Sequence, residues 1–408
     1  MRTYLFPLLW AFALTTSQIT PAYIVFVPLL VLWVAVVWRE GRLGERLGTA
    51  AGMLAGLQAL FLLLSTVFSH DPAASVRHFA GVSLLFLLPI AADLFDRLSR
   101  PRDVWLALAA SGIALSLIGL WQFAHGGNDL ESRIRGTLSH YMTFSGLTMI
   151  AGCVLLGMAF EGRGRWRRVG WLCVIPLGAV LLTFTRNAYV GTLAGVVLYL
   201  LVRRPRWLLL LPPALLAIYL FSPRPIQSRI LSTVSLEDIT NHDRIAMLHA
   251  GMRMIADRPI FGMGPEMVKV YYPLYRDPDA TEWRAGHLHN NLLQLAAANG
   301  ILAAAAYLAL MIVFFARSMA LLRREARPEP AALLAGALIA VAALFVAGFF
   351  EYNWGDTEVE MATLLLLAAP FSPAFTLDSR FRIQDSKLDG RPLPSRFDSA
   401  RTGSGGRA

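Results

Sequence analysis

Arginines, histidines and acidic residues gather at four places where apolar runs of this 408-residue chain end. The first is Thr183-Phe184-Thr185-Arg186-Asn187, between two short apolar segments. The downstream segment, 187–202, covers about 24 Å as a helix, less than the ~30 Å hydrocarbon layer of a bilayer. Arg186 is therefore expected below the membrane surface, where an arginine is costly and by default functional, facing a wet cavity or an anion. Snorkelling to head groups is the structural alternative. The second place is Asn241-His242-Asp243-Arg244, which with Arg253 and Arg258 puts several cations on one long loop. Guanidinium forks match phosphate oxygens in bidentate geometry, so two arginines converging from separate elements would suit a pyrophosphate. The plainer reading is a solvated helix with an Asp243–Arg244 surface pair.

His287-Leu288-His289-Asn290 closes the same loop and leads directly into an apolar run. An imidazole there can exchange protons near neutral pH and act as a general base. Two histidines at i, i+2 can also bind a metal, but no carboxylate or thiol completes a recognised spacing, and no metal is expected. The fourth place is Glu351-Tyr352-Asn353-Trp354-Gly355-Asp356-Thr357-Glu358. Its acids can orient the histidine, pair with the arginines or hold a divalent cation, or simply face water; for Glu358 and Glu360 a solvated loop is the plainer reading. Tyr271, Tyr272, Tyr275 and Trp283 can stack on sugar rings or form an interfacial aromatic belt.

The elements that must position these groups are apolar and long. Hydrophobic residues make up 56% of the chain and charged ones only 16%, against about 25% charged in soluble proteins; the mean hydropathy is +0.53. Apolar runs of membrane length recur from Leu5 to Pro370, which excludes one soluble domain with a single anchor and a cleaved signal peptide. The pattern predicts an all-α polytopic membrane protein of about twelve transmembrane helices. The first six are expected over 4–20, 21–38, 49–68, 77–94, 104–125 and 138–160. The other six fall at 169–185, 187–202, 207–222, 291–316, 331–350 and 358–373.

The net charge of +10 lies in short clusters between these segments, a positive-inside pattern rather than a nucleic-acid stripe. Arg39, Arg42 and Arg46 form the first cluster, and Arg97, Arg100 and Arg102 the second. Arg163 to Arg168, Arg203 to Arg206 and Arg317 to Arg327 follow. Twelve crossings put every cluster on one side, with both termini cytoplasmic. The organisation that follows is helices over 1–222, an outer loop over 223–290, helices over 291–373 and a polar, disordered tail over 374–408. Within the loop, Ile245, Leu248, Met252 and Ile255 repeat at helical steps, Pro259 ends the pattern, and Asn241 or Asp243 is expected to cap its start. Cys153 and Cys173 lie within apolar runs and give no disulfide framework.

His289-Asn290, nine residues and then Gly300 resembles the histidine signature of the O-antigen ligase family. Arg186 after Thr183-Phe184-Thr185 resembles that family's arginine at a periplasmic helix end, and Arg244 its loop-helix arginine. Arg258-Pro259-Ile260-Phe261-Gly262-Met263-Gly264 resembles the segment that follows, and Asp356 its late acidic residue. Three residues after the glycine this chain has Ala303 where the family usually has Gly, Thr or Tyr.

The resemblance implies a GT-C-like transferase in the bacterial inner membrane with its site on the periplasmic face. It implies transfer of O-antigen from undecaprenyl pyrophosphate to a sugar hydroxyl of lipid A-core, without cofactor or metal and with inversion. On that reading His289 is the base and Arg186 and Arg244 bind pyrophosphate, supported by Asp356, Asn290, Arg258 and His287. An O-antigen polymerase and a protein O-oligosaccharyltransferase share the donor and are the nearest alternatives. A transporter is the alternative from another class, disfavoured because the candidate residues lie on one side rather than at the midplane.

Overall fold

The computed structural model describes residues 2–78, 80–98, 101–126, 129–232 and 239–375, and all regular structure among them is helical. The chain opens with α1 (Arg2–Thr15), α2 (Ile19–Arg39), a short α3 (Leu43–Leu47) and α4 (Ala50–Val67). Short pieces α5 (Pro72–Ser75) and α6 (Ala80–Leu84) lead to α7 (Leu87–Arg97), α8 (Arg102–Ala124) and α9 (Tyr141–Glu161). Then come α10 (Arg165–Gly170), α11 (Val174–Leu182), α12 (Arg186–Arg203), α13 (Leu211–Phe221) and α14 (Arg224–Leu231). The polar loop contributes α15 (Ile239–Asp257) and α16 (Met267–Tyr275). The chain returns through α17 (Asn291–Asn299), α18 (Ile301–Arg324), α19 (Pro328–Ala347) and α20 (Thr357–Leu367).

Six of these helices are long and apolar enough to cross a membrane: α2, α4, α8, α9, α18 and α19. Helix α2 buries Phe26, Leu29, Trp33 and Val37 on one face and exposes Ile24, Val27, Val31 and Trp38 on the other. Helix α4 likewise exposes Met53, Leu57, Leu60 and Val67. A helix apolar on its outward face as well as its inward one belongs in lipid, where the outward face costs nothing. The protein is an all-helical polytopic membrane protein.

Two central helices are buried almost all round, α9 and α19, and they touch backbone to backbone. A Cβ placed on Gly157 of α9 would lie 2.2 Å from the Gly336 amide nitrogen of α19. On the other flank of α19, Cβ atoms on Gly191 and Gly195 of α12 would lie 2.4 and 2.3 Å from the Ala343 and Ile339 carbonyl oxygens. Small residues at helical spacing let helices approach this closely where lipid offers no hydrophobic drive for association. The α12–α19–α9 layer is the frame on which the arginine and carboxylate ends are carried.

Several expected spans are interrupted. The run 291–316 breaks at Gly300, whose φ of +88° favours glycine and whose Cβ would lie 1.9 Å from the Ile260 carbonyl. The run 77–94 divides between α6 and α7, 169–185 between α10 and α11, and 358–373 leaves the α-helix after Leu367. The chain is still packed at Phe375, whose ring meets Phe95 and Trp105; the expected tail from 376 on lies outside the described residues.

The loop helix appears as expected and Pro259 follows its end, but its start differs. Helix α15 begins at Ile239, and Asp243 accepts hydrogen bonds from the Thr281 amide and hydroxyl instead of capping it. Of the residues whose spacing revealed the helix, only Ile255 packs against its buried face. Ile245, Leu248 and Met252 are exposed, while Ala246, Met247, Ala250 and Met254 pack inward.

The close α9–α19 crossing predicts that Gly157→Ala forces the two helices apart, an overpacking cost of about 1–3 kcal/mol. Thermal unfolding of the purified protein should drop by several degrees, whereas Gly178→Ala, with open space around it, should leave it unchanged. Equal melting of both variants would contradict the crossing.

Candidate functional site

The break at Gly300 ends α17 inside the bundle, and its last carbonyls need donors. The loop supplies them: the Met263 and Gly264 amides donate to Ala297 and Ala298 oxygens at 2.9 and 2.8 Å, and Ile301 donates back to Pro259 at 2.8 Å. Arg258 donates to the Phe68 carbonyl at 2.9 Å, and the His70 amide donates to Met263 at 3.1 Å. Arg258 thus pins the foot of α15 to the end of α4 rather than lining the candidate site.

At the other end of α17 a run of asparagines stitches the histidine segment to the turn after α19. Asn290 caps α17 by accepting from the Leu293 amide at 3.0 Å and donates to the Phe349 carbonyl at 3.1 Å. The Asn291 amide donates to Gly348 at 2.7 Å, and its side chain donates to Asn353 at 2.7 Å and accepts from the Trp354 amide at 3.1 Å. Asn290 therefore holds the backbone; its side chain is already engaged in structural bonds.

This stitching brings His289 onto Glu351. The His289 Nδ1 and Glu351 Oε2 are 2.9 Å apart, and His287 Nε2 lies 3.5 Å from Glu351 Oε1. Glu351 is only 5% exposed. Burial alone would raise its carboxyl, but the hydrogen bond and charge of His289, then His287 and Arg244, hold it below the usual range. An ionised carboxylate only accepts, so His289 donates its Nδ1–H to Glu351 and the ring is held with Nε2 as its remaining nitrogen. His289 itself has φ +48°, the left-handed region that non-glycine residues rarely occupy and that clusters at functional sites.

Arg186 is the first residue of α12 and 6% exposed. The residue two before it, Phe184, also has positive φ, +55°, and its carbonyl accepts from Arg229 at 3.1 Å. Arg186 Nη1 donates to the Ser232 carbonyl at 2.7 Å, and Nη2 donates to Asn241 Oδ1 at 3.1 Å. Asn241 lies one helical turn before Arg244 on α15, and the Arg244 charge reaches Glu351. The two arginines and the histidine pair are therefore linked through α15 and Glu351.

Asp356 is placed differently. It accepts from Thr143 of α9 at 2.5 Å, and burial raises its carboxyl despite that bond. The carboxylate that touches His289 is Glu351, five residues earlier. His140, a residue sequence reading did not single out, caps α9 by accepting from the Met142 amide at 3.3 Å. It lies within electrostatic range of Glu351, Asp356 and His289; a lone histidine immediately before an apolar run was the available signal. The aromatic residues disperse: Tyr272 is buried, Tyr271 stacks on His70, and Trp283 is exposed beneath the Arg276 guanidinium.

His287, His289 and Glu351 also form a possible metal triad, their donor atoms all within 4.8 Å of one another. The Arg244 charge felt at Glu351 opposes a cation there.

The candidate site is thus a basic, histidine-bearing cluster in an all-helical membrane protein. Residues 171–308, about a third of the chain, match the family model described as O-antigen ligase. The protein carries an O-antigen ligase family domain, and the resemblance read from the His289 motif is borne out. The matched stretch contains Arg186, Arg244, Arg258, His287, His289 and Asn290 and stops short of Glu351 and Asp356. No curated protein matches the chain.

Burial, aided by the His289 and His140 charges and opposed by Glu351, lowers the His287 imidazole below its ordinary value. The unfolded chain therefore takes up a proton near pH 6.5 that the folded site resists, so stability falls as pH drops through that value and is unaffected above it. Melting temperature followed from about pH 8 to about pH 5 should decline less steeply in His287→Gln than in the parent. An equal or steeper decline would contradict this burial.

Proposed function

We propose that this protein is an O-antigen ligase of the bacterial inner membrane. It moves a polysaccharide from undecaprenyl pyrophosphate to a sugar hydroxyl of lipid A-core. The observation that carries the reading is the buried Glu351–His289 pair, joined through α15 to Arg186 and Arg244, within a chain carrying the O-antigen ligase domain. The chain is read as crossing the membrane about twelve times in a GT-C-like arrangement, with both termini cytoplasmic and loop 223–290 periplasmic.

In the proposed reaction the acceptor hydroxyl oxygen attacks the anomeric carbon of the donor, and the bond from that carbon to the pyrophosphate oxygen breaks with inversion. The hydroxyl proton passes to His289 Nε2, which the reaction requires within hydrogen-bond reach of the incoming oxygen. Glu351 fixes the tautomer and stabilises the imidazolium that forms. Arg186 and Arg244 answer the charge that grows on the departing pyrophosphate, which needs no metal ion. Asn290 and Arg258 act by holding the backbone, and Asp356 by setting the α9 side of the site through Thr143.

Purified protein reconstituted with undecaprenyl-pyrophosphate-linked O-antigen and core-lipid A, in chelator, is expected to give a lipopolysaccharide ladder. His289→Ala should reduce transfer by about 10²–10⁴-fold while the protein still folds. Ligation at the parental rate would remove the base assignment. Glu351→Gln should lose about 10²-fold or more, since the amide no longer dictates the tautomer. Arg186→Lys should lose roughly 10²-fold because an ammonium cannot fork onto two oxygens; full activity would mean snorkelling. Polymerised repeats without core attachment would instead identify an O-antigen polymerase, and modified protein a protein O-oligosaccharyltransferase.

A further inference from the structure

Helix α19 is 20 residues long, so Glu329 in its first turn and Glu351 just past its last lie about 30 Å apart along the axis. At the Glu329 end, far from His289, is a pocket of about 240 Å³ where α8, α9 and α19 all terminate. All three are helices of membrane-spanning length and composition, so the pocket lies where the bundle leaves the apolar layer. Its floor is apolar, formed by Met158, Ala332 and Leu333.

Its rim is cationic. Arg102 and Arg163 line it beside Trp166. The Trp166 ring carries two guanidinium groups, Arg102 at 4.7 Å and Arg165 at 4.5 Å from its centroid. Arg102 Nη1 donates to Glu329 at 2.6 Å, while its buried Nε has no hydrogen-bond acceptor and faces Asp103 only at 3.9 Å. Arg167 and Arg168 continue the cluster on α10. Two arginines thus line the pocket with one carboxylate, Glu329, a third guanidinium stands behind Trp166, and the positive end of the α19 dipole lies beside them.

We propose that this pocket binds the phosphodiester head group of an anionic membrane phospholipid. Arg102 and Arg163 meet the phosphate oxygens, and the first carbons of the lipid lie over Met158 and Leu333. Basic pockets between spanning helices are suited to such head groups, and guanidiniums stacked on one indole are already oriented for the fork geometry that phosphate takes. Inorganic phosphate offers the same charge but nothing for the apolar floor, which is what selects a lipid. The inference is independent of the transfer chemistry at His289.

The test is native mass spectrometry of the delipidated full-length protein titrated with phosphatidylglycerol or phosphatidylethanolamine, with glycerol phosphate as competitor. Phosphatidylglycerol should be retained preferentially. The double variant Arg163→Gln/Arg165→Gln, at two exposed positions, should weaken it about thirtyfold, at roughly fivefold per arginine. Trp166→Ala should weaken it as well, and Arg163→Lys, which keeps the charge but not the fork, should weaken it less than Arg163→Gln does. Unchanged retention in the double variant, equal retention of the zwitterionic lipid, or displacement by equimolar glycerol phosphate would each overturn the proposal. Parental melting of the double variant separates lost binding from lost folding.

Discussion

A helix that stops inside a membrane protein must hand its last carbonyls to some other donor, because lipid provides none. Here α17 stops at Gly300, and the donors come from Met263 and Gly264 of the polar loop. This one exchange decides where the rest of the site can be. It ties the end of α15 to the end of α17, while the asparagines at the start of α17 tie it to the turn after α19. Arg244, His289 and Glu351 come from three distant parts of the chain, yet each is carried by a segment tied to one end or the other of α17. The nine-residue length of α17 is therefore a spacer of about 13 Å, set by how far the loop anchor must lie from the histidine.

The site stores strain next to its charge. His289 and Phe184 both adopt left-handed backbone, at a cost of order 1–3 kcal/mol each. Such conformations persist only where the surroundings over-determine them. At His289 the surroundings are the Asn290 and Asn291 bonds to the α19 turn; at Phe184 they are the Arg229 bond to its carbonyl and the start of α12. In both places the strained residue aims a side chain of the candidate site, the imidazole itself or Arg186 two residues on. Burying Glu351 is tolerated for a related reason: His289, His287 and Arg244 together outweigh the desolvation of one carboxylate.

Much of the fold was legible because lipid imposes a simple rule. Runs such as 21–38 and 104–125 are apolar all round, and they fold as α2 and α8 within two residues of the expected bounds. What hydropathy does not register is a break in which both halves stay apolar. Residues 291–299 and 301–316 read as one run, and only a glycine whose neighbour is the Ile260 carbonyl separates them. The buried face of α15 was hidden for a similar reason. Its inward residues are Ala246, Met247, Ala250 and Met254, small and flexible groups that fit a close approach to α17, while the larger aliphatics that dominate the periodicity face outward.

The site was legible where the chemistry is local and not where it is made between elements. Arg186 stood out because a charged residue at a short apolar helix is costly wherever it points, and His289 because it closes a polar loop at the edge of an apolar run. The partner of His289 could not be chosen the same way, since Glu351 and Asp356 lie in one turn-rich stretch and both are acidic. Three-dimensional pairing separates them: the Asn291 bonds to Gly348 and Asn353 turn the backbone so that Glu351 faces the histidines, while Asp356, at the residue before α20, turns its carboxylate across to Thr143 of α9. Five residues of sequence thus separate a carboxylate that meets the histidines from one that bridges to α9, and the difference lies in α17 rather than in either acid.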